Sequence, residues 1–111
     1  MGFYDKRPDD DETIYIGQYV TEAVFPCGEI ALGKGQCGLC SQTRETQIVE
    51  DVSKCDNYIA CDSETQSEIV VPCFGPDGAL RTVLDIDSPD KATFDQEDAT
   101  QLAAIIGLVY K

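Results

Sequence analysis

The chain has 111 residues, a length that suits one domain able to bury about two thirds of its unfolded surface without staples. Its 21 acidic residues against 8 basic ones give a net charge of −13, which disfavours nucleic acid and anionic membrane as partners. There is no histidine, so Ser-His and Cys-His dyads are excluded and acid–base work falls to Asp, Glu, Tyr, Lys and Cys. No apolar run approaches the roughly 18 residues of a membrane span, and the start, Met1 to Pro8, lacks a signal peptide's apolar region. The expected location is therefore cytoplasmic, and the six cysteines are expected to be reduced, catalytic, metal-bound or buried rather than paired as staples.

Gly2-Phe3-Tyr4 reads as the tail of a strand, followed by a charged, proline-broken loop from Asp5 to Glu12. The acidic run Asp9 to Glu12 reads as a solvated hairpin tip rather than a cation site. Thr13 to Val20 is rich in β-formers and predicts a strand, and Cys27 to Leu32 a second, shorter one. Gly33 to Cys40 is glycine-rich and leads into a short predicted helix from Ser41 to Glu45. A glycine loop before a helix presents backbone N–H groups, so an anion could rest there, with the Cys37 thiolate stabilised by the helix dipole. The spacing is not that of a P-loop, since no Gly-Lys-Ser/Thr follows.

Thr46 to Val49 predicts another brief strand, and Asp51 to Tyr58 a loop leading to Cys61. From Ile59 to Pro72 a thiol and a polar stretch run into the apolar, β-branched Ile69-Val70-Val71, which suits a strand covered on both faces. Gly75-Pro76-Asp77-Gly78 is a turn signal, so the strand from Glu68 to Phe74 is expected to pair back with Ala79 to Ile86 as a hairpin. Asp85 and Asp87, two residues apart on that second strand, share a face. After a loop from Ser88 to Thr93, Asp95 caps a helix whose Ala99, Leu102, Ala103, Ile106 and Val109 form an apolar stripe.

Several chemistries compete for the thiols. Cys37-Gly38-Leu39-Cys40 is a Cys-x-x-Cys, but the βαβ opening of a thioredoxin-like motif is absent. Cys37, Cys40, Cys55 and Cys61 could make a zinc quartet, though the second pair is spaced too widely for the usual pattern.

A third reading rests on five stretches taken in order. Cys27, Gly33-Lys34-Gly35-Gln36-Cys37-Gly38, Ile59-Ala60-Cys61-Asp62, Ser67-Glu68-Ile69-Val70-Val71-Pro72 and Val83-Leu84-Asp85-Ile86-Asp87-Ser88 closely resemble the free methionine-(R)-sulfoxide reductases, small stand-alone GAF-domain enzymes. The resemblance runs from Gly2 almost to the C-terminus and includes the spacing of all three cysteines. It implies an α+β GAF fold, one domain over residues 1–111, with a central, mainly antiparallel sheet flanked by helices. The first helix and part of the first strand are expected to be missing. Members carry a tryptophan before Ala-Gly-Phe-Tyr, whereas Met1 stands at the alanine and the chain has no tryptophan. Tyr58 stands where a histidine is usual, and Cys40, Cys55 and Cys73 are extra.

The resemblance further implies thiol-dependent reduction of free L-methionine (R)-S-oxide, part of a response to oxidative stress, with thioredoxin as reductant and no cofactor or metal. Cys61 would be the nucleophile, Cys27 its resolving partner and Cys37 a second resolving or relay thiol. Glu68 would donate the proton. Asp85 and Asp87 would raise its pKa and hold the substrate ammonium, while Tyr4 would wall the pocket. The substrate carboxylate would rest on N–H groups at residues 35–37 or 62–63. Homodimer formation is also expected of the family. Two alternatives of other classes stay open: a non-catalytic GAF module that binds a small amino-acid-like ligand, and a metal-binding structural domain.

Overall fold

The computed structural model describes residues 1–7, 9–20, 28–55 and 64–109. Six strands, β1 (Gly2–Arg7), β2 (Asp10–Tyr19), β3 (Glu29–Ala31), β4 (Gln47–Val49), β5 (Ser67–Phe74) and β6 (Leu80–Ser88), form one sheet. Their order is β3-β2-β1-β6-β5-β4, and every neighbouring pair is antiparallel. Helix α1 (Gly35–Thr43) lies between β3 and β4 in the chain, a single 3₁₀ turn spans Val52–Lys54, and α2 (Gln96–Val109) is the last described element. This is the expected α+β arrangement.

Strand alternation divides the interior into two layers. Tyr4, Ile14, Val70 and Val83 point toward α1, where Ile30, Cys37 and Cys40 complete the packing. The alternate residues Ile69, Val71, Cys73 and Leu84 point the other way and meet Ala99 and Ile106 of α2. Ile69, Val70, Val71 and Val83 are fully buried, which accounts for the unbroken apolar run in β5: both of its faces are covered.

The β5–β6 hairpin forms as predicted, with Gly75 donating to the Ala79 carbonyl at 2.9 Å and Gly78, at φ 79°, donating back to Gly75. Helix α2 starts with a reciprocal cap: the Asp98 N–H donates to the Asp95 carboxylate at 3.1 Å and the Asp95 N–H to that of Asp98 at 2.9 Å. Its inner stripe is narrower than expected. Ala99 and Ile106 are buried and Leu102 half-buried, but Ala103 is exposed, as are Ile105 and Leu108.

Two expectations fail at particular places. Asp5 to Arg7 belong to β1 and Asp10 to Glu12 to β2 instead of a loop; Tyr4 and Asp5 pair with Val83 and Thr82 on one side and with Ile16 and Tyr15 on the other. The charges are accommodated at the hairpin end, where Asp10 accepts from the Glu12 and Thr13 N–H groups and from the Tyr15 hydroxyl. The second correction is the start of α1, which begins at Gly35 instead of Ser41. A side chain at position 38 would put its Cβ 2.4 Å from the Ala31 carbonyl oxygen. Gly38 therefore serves the close approach of helix to β3, a packing role.

Candidate active site

The register of β5 and β6 assembles a carboxyl cluster. Glu68 lies directly opposite Asp87, and Val70 opposite Asp85, so the three acids share the α1 face of the sheet. Glu68 is 7% exposed and Asp85 4%. The Cys37 Sγ and one carboxylate oxygen from each of Glu68 and Asp85 all lie within 4.8 Å of one another. Across β1, the Tyr19 hydroxyl lies 3.2 Å from Oδ2 of both Asp85 and Asp87 and shares its proton between them. The tyrosine can reach because Gly2 lies between them in the sheet, paired with Tyr19 on one side and Asp85 on the other. A Cβ on Gly2 would stand 2.3 Å from the Tyr19 ring. Tyr4 meets that ring edge-on, centroids 6.0 Å apart, and is itself buried.

Burial and mutual repulsion make this a proton-retaining site. Burial pushes the Glu68 carboxyl well above the usual range, and its hydrogen bond to Asp85 and the charges of Asp85 and Asp87 push it further. Asp87 is pushed up to about 6 by burial and by Asp85, against the lowering effect of its hydrogen bonds from Glu68 and Tyr19. Burial, more than the neighbouring acids, also raises the Tyr4 and Tyr19 hydroxyls. Glu68 thus favours its protonated form, while Asp85 keeps one buried oxygen, Oδ1, with no hydrogen-bond partner among the described residues.

Cys37 corrects the sequence reading. It is in the first turn of α1, where the dipole favours a thiolate. Yet it is 4% exposed, and burial followed by the charges of Asp85, Glu68 and Asp87 raises its thiol well above the ordinary value. Desolvation and like charge outweigh the dipole, so the thiol stays protonated. The glycine loop before it turns inward as well: the Gly33 N–H donates to Gly38 and the Lys34 N–H to Ala31.

Of the residues singled out from sequence, Tyr4, Cys37, Glu68, Asp85 and Asp87 come together. Cys27, Cys61 and the 62–63 stretch lie outside the described residues. Tyr19 was missed, because its partners are 66 and 68 residues away and only the strand register shows them. Cys40 and Cys73 are buried, their thiols pushed up to about 12, first by burial. Cys55 is half-buried and its sulfur accepts from the Gln36 amide at 3.0 Å. The described members of the zinc quartet, Cys37, Cys40 and Cys55, do not converge. Among the described residues the one trio with ligand atoms close enough for a metal is Cys37, Glu68 and Asp85.

No family model matches the chain. It is 42% identical over 110 residues to the free methionine-R-sulfoxide reductase of Saccharomyces cerevisiae, a match that covers 99% of this chain and 60% of that protein. A solved GAF-domain structure superposes with a TM-score of 0.90 at 41% identity, covering 98% of this chain and 60% of its own. The type II free methionine-R-sulfoxide reductase of Thermoplasma acidophilum superposes with a TM-score of 0.86 at 35% identity, covering 98% of this chain and 74% of its own. The chain thus spans less than two thirds of the yeast relative's length, and within that span both sequence and fold agree. With its GAF-type sheet and its identity to these proteins, the chain belongs to the free methionine-R-sulfoxide reductase family.

Proposed function

We propose that this chain carries the catalytic GAF unit, residues 1–111, of an enzyme that reduces free L-methionine (R)-S-oxide to methionine. The observation that carries the reading is Glu68: a buried carboxyl, kept protonated, beside a cysteine and two further acids. Sulfoxide reduction by a thiol needs such an acid, because the departing oxygen must be protonated as the sulfur is attacked.

In this reading the Cys61 thiolate attacks the sulfoxide sulfur and Glu68 protonates the oxygen. The protonated oxygen passes to the Cys61 sulfur as the substrate S–O bond and the transient bond between the two sulfurs break, so methionine leaves and Cys61 is left as a sulfenic acid. A second thiol, Cys27, condenses with the sulfenic acid to a disulfide and releases water. Cys37, protonated in the resting site, acts as relay, able to pass its proton to the neighbouring carboxylates when the disulfide has to be exchanged. Thioredoxin supplies the two electrons that reopen the disulfide, which places the reaction in a reducing compartment such as the cytoplasm.

Substrate choice follows from charge. A free amino acid carries an ammonium, and Oδ1 of Asp85, without a partner among the described residues, together with Asp87 offers it a buried acceptor. Its carboxylate rests on N–H groups of the first turn of α1 or of residues 62–63, and Tyr4 bounds the methyl-binding side. A methionine within a polypeptide has no free ammonium to place there.

The test is NADPH consumption coupled through thioredoxin and its reductase. Consumption should depend on free methionine (R)-sulfoxide and vanish in Cys61→Ser. Turnover that persists in that variant would overturn the assignment of the nucleophile. Stabilisation by the sulfoxide with no turnover in the wild type would reduce the chain to a binding module.

A further inference from the structure

Four of the chain's eight lysines and arginines, Lys6, Arg7, Arg44 and Arg81, line a single groove of about 420 Å³ with Asp77 and Leu80 among their neighbours. In a chain of net charge −13, half of the cations thus converge on one concavity. The groove is at the end of the sheet away from the acids: β1 runs from Gly2, opposite Asp85, to Arg7, and β6 from Leu80 toward Asp85 and Asp87. The C-terminus of α1, capped by Arg44, closes the third side.

The two most constrained cations are held without being neutralised. The Arg7 guanidinium sits 3.6 Å over the centroid of the Tyr15 ring. Arg44 lies 5.0 Å from the centroid of the Phe74 ring and donates to the Gly78 carbonyl. Neither forms an ion pair among the described residues. Lys6 and Arg81 do, with Asp11 at 2.8 Å and Asp77 at 3.5 Å, but both of those acids are exposed, and such pairs are weak and readily exchanged.

We propose that this groove binds a small phosphate-bearing anion, a phosphomonoester or free phosphate. Guanidinium forks offer several donors in a fixed plane, the arrangement that matches a tetrahedral dianion. Stacking on Tyr15 and Phe74 lowers the entropy lost on binding. Leu80 supplies an apolar wall for an organic residue attached to the phosphate. The volume suits a small molecule better than a folded acidic partner. Nothing in this proposal depends on the reductase reading.

The experiment is a titration of the ¹⁵N-labelled chain with inorganic phosphate and, separately, with glycerol 3-phosphate, at ionic strength held constant with sodium chloride. Saturable shifts of the Gly78, Leu80 and Arg44 amides are expected. In Arg7→Gln combined with Arg44→Gln, affinity should fall about tenfold or more, the loss of two charge-assisted contacts. Arg81→Gln, at an exposed position where the fold tolerates exchange, should weaken binding several-fold and stands in should the double variant not fold. Tighter binding of glycerol 3-phosphate assigns the site to phosphomonoesters, and equal or weaker binding assigns it to free phosphate. Shifts that sodium chloride alone reproduces, shifts unchanged in both variants, or a response only to an acidic peptide would overturn the proposal.

Discussion

The two faces of the same pair of strands behave as different materials. On β5 and β6, Glu68, Asp85 and Asp87 face α1, while their immediate neighbours Ile69, Leu84 and Ile86 face α2. One residue of displacement along the chain separates a layer that carries acids from a layer built of Ile, Val, Leu, Phe, Ala and a single cysteine. The α1 layer holds its acids at a cost in desolvation, and the α2 layer offsets that cost by burying apolar surface, about 1.5–3 kcal/mol for each large side chain. In the proposed reading, function and stability fall to alternate residues of one segment, so single substitutions should separate them.

The largest separation is expected at Glu68. Glu68→Gln keeps shape and neutrality but removes the proton to be donated, so turnover should fall by about 10²–10⁴-fold. Since burial and the neighbouring acids favour the neutral form of the native carboxyl, the urea midpoint of this variant at pH 7 should equal or exceed that of the wild type. A fall in turnover below tenfold would place the proton donor elsewhere. Next in size is the adjacent residue: Ile69→Ala, at a fully buried position, should cost about 2–5 kcal/mol of stability. Turnover per folded molecule should change little, and a proportionate loss of turnover would show that the two layers are not separable.

A smaller effect sharpens the comparison through pH. The folded-state pKa of Asp87 is about 6 against a reference of 3.8, so between those values the native state holds a proton that the unfolded chain has released. Stability from this group is fully present below pH 3.8 and is lost as pH rises through about 6. Glu68 is shifted in the same direction and adds a contribution of the same sign. Denaturation of Asp87→Asn across pH 4 to 7 should therefore show a flatter decline than the wild type. Identical slopes would mean that Asp87 titrates normally in the native state.

Much of this was legible from the residues. The turn Gly75 to Gly78 announced the β5–β6 hairpin, but a bulge between Cys73 and Phe74 shifts the pairing by one residue, and only that shift puts Asp85 and Asp87 on the face of Glu68. The Asp95 cap was visible too, because capping is a local interaction with a local signature. What stayed hidden depended on distant partners. Tyr19 looked like any strand aromatic until β1 brought it across Gly2 to the acids. The glycine-rich stretch Gly33 to Cys40 looked like an anion loop, whereas its Gly38 answers to the Ala31 carbonyl. Charge around Cys37 could not be read either, since Glu68, Asp85 and Asp87 follow it by 31 residues or more and reverse what the helix dipole alone would do.

The position of β1 has a consequence for synthesis. It precedes the other five described strands in the chain, yet it lies near the middle of the sheet, with β2 on one side and β6 on the other. During translation the β1–β2 hairpin can form early, but the outer edge of β1 stays open until residues 82–85 have left the ribosome to pair with residues 2–5. An unpaired edge bearing Phe3 and Tyr4 is an adhesive surface for as long as it waits. The pairing that ends the wait spans most of the chain and is correspondingly slow. Yield of soluble protein should thus respond to translation speed between β2 and β6 more than to speed anywhere else.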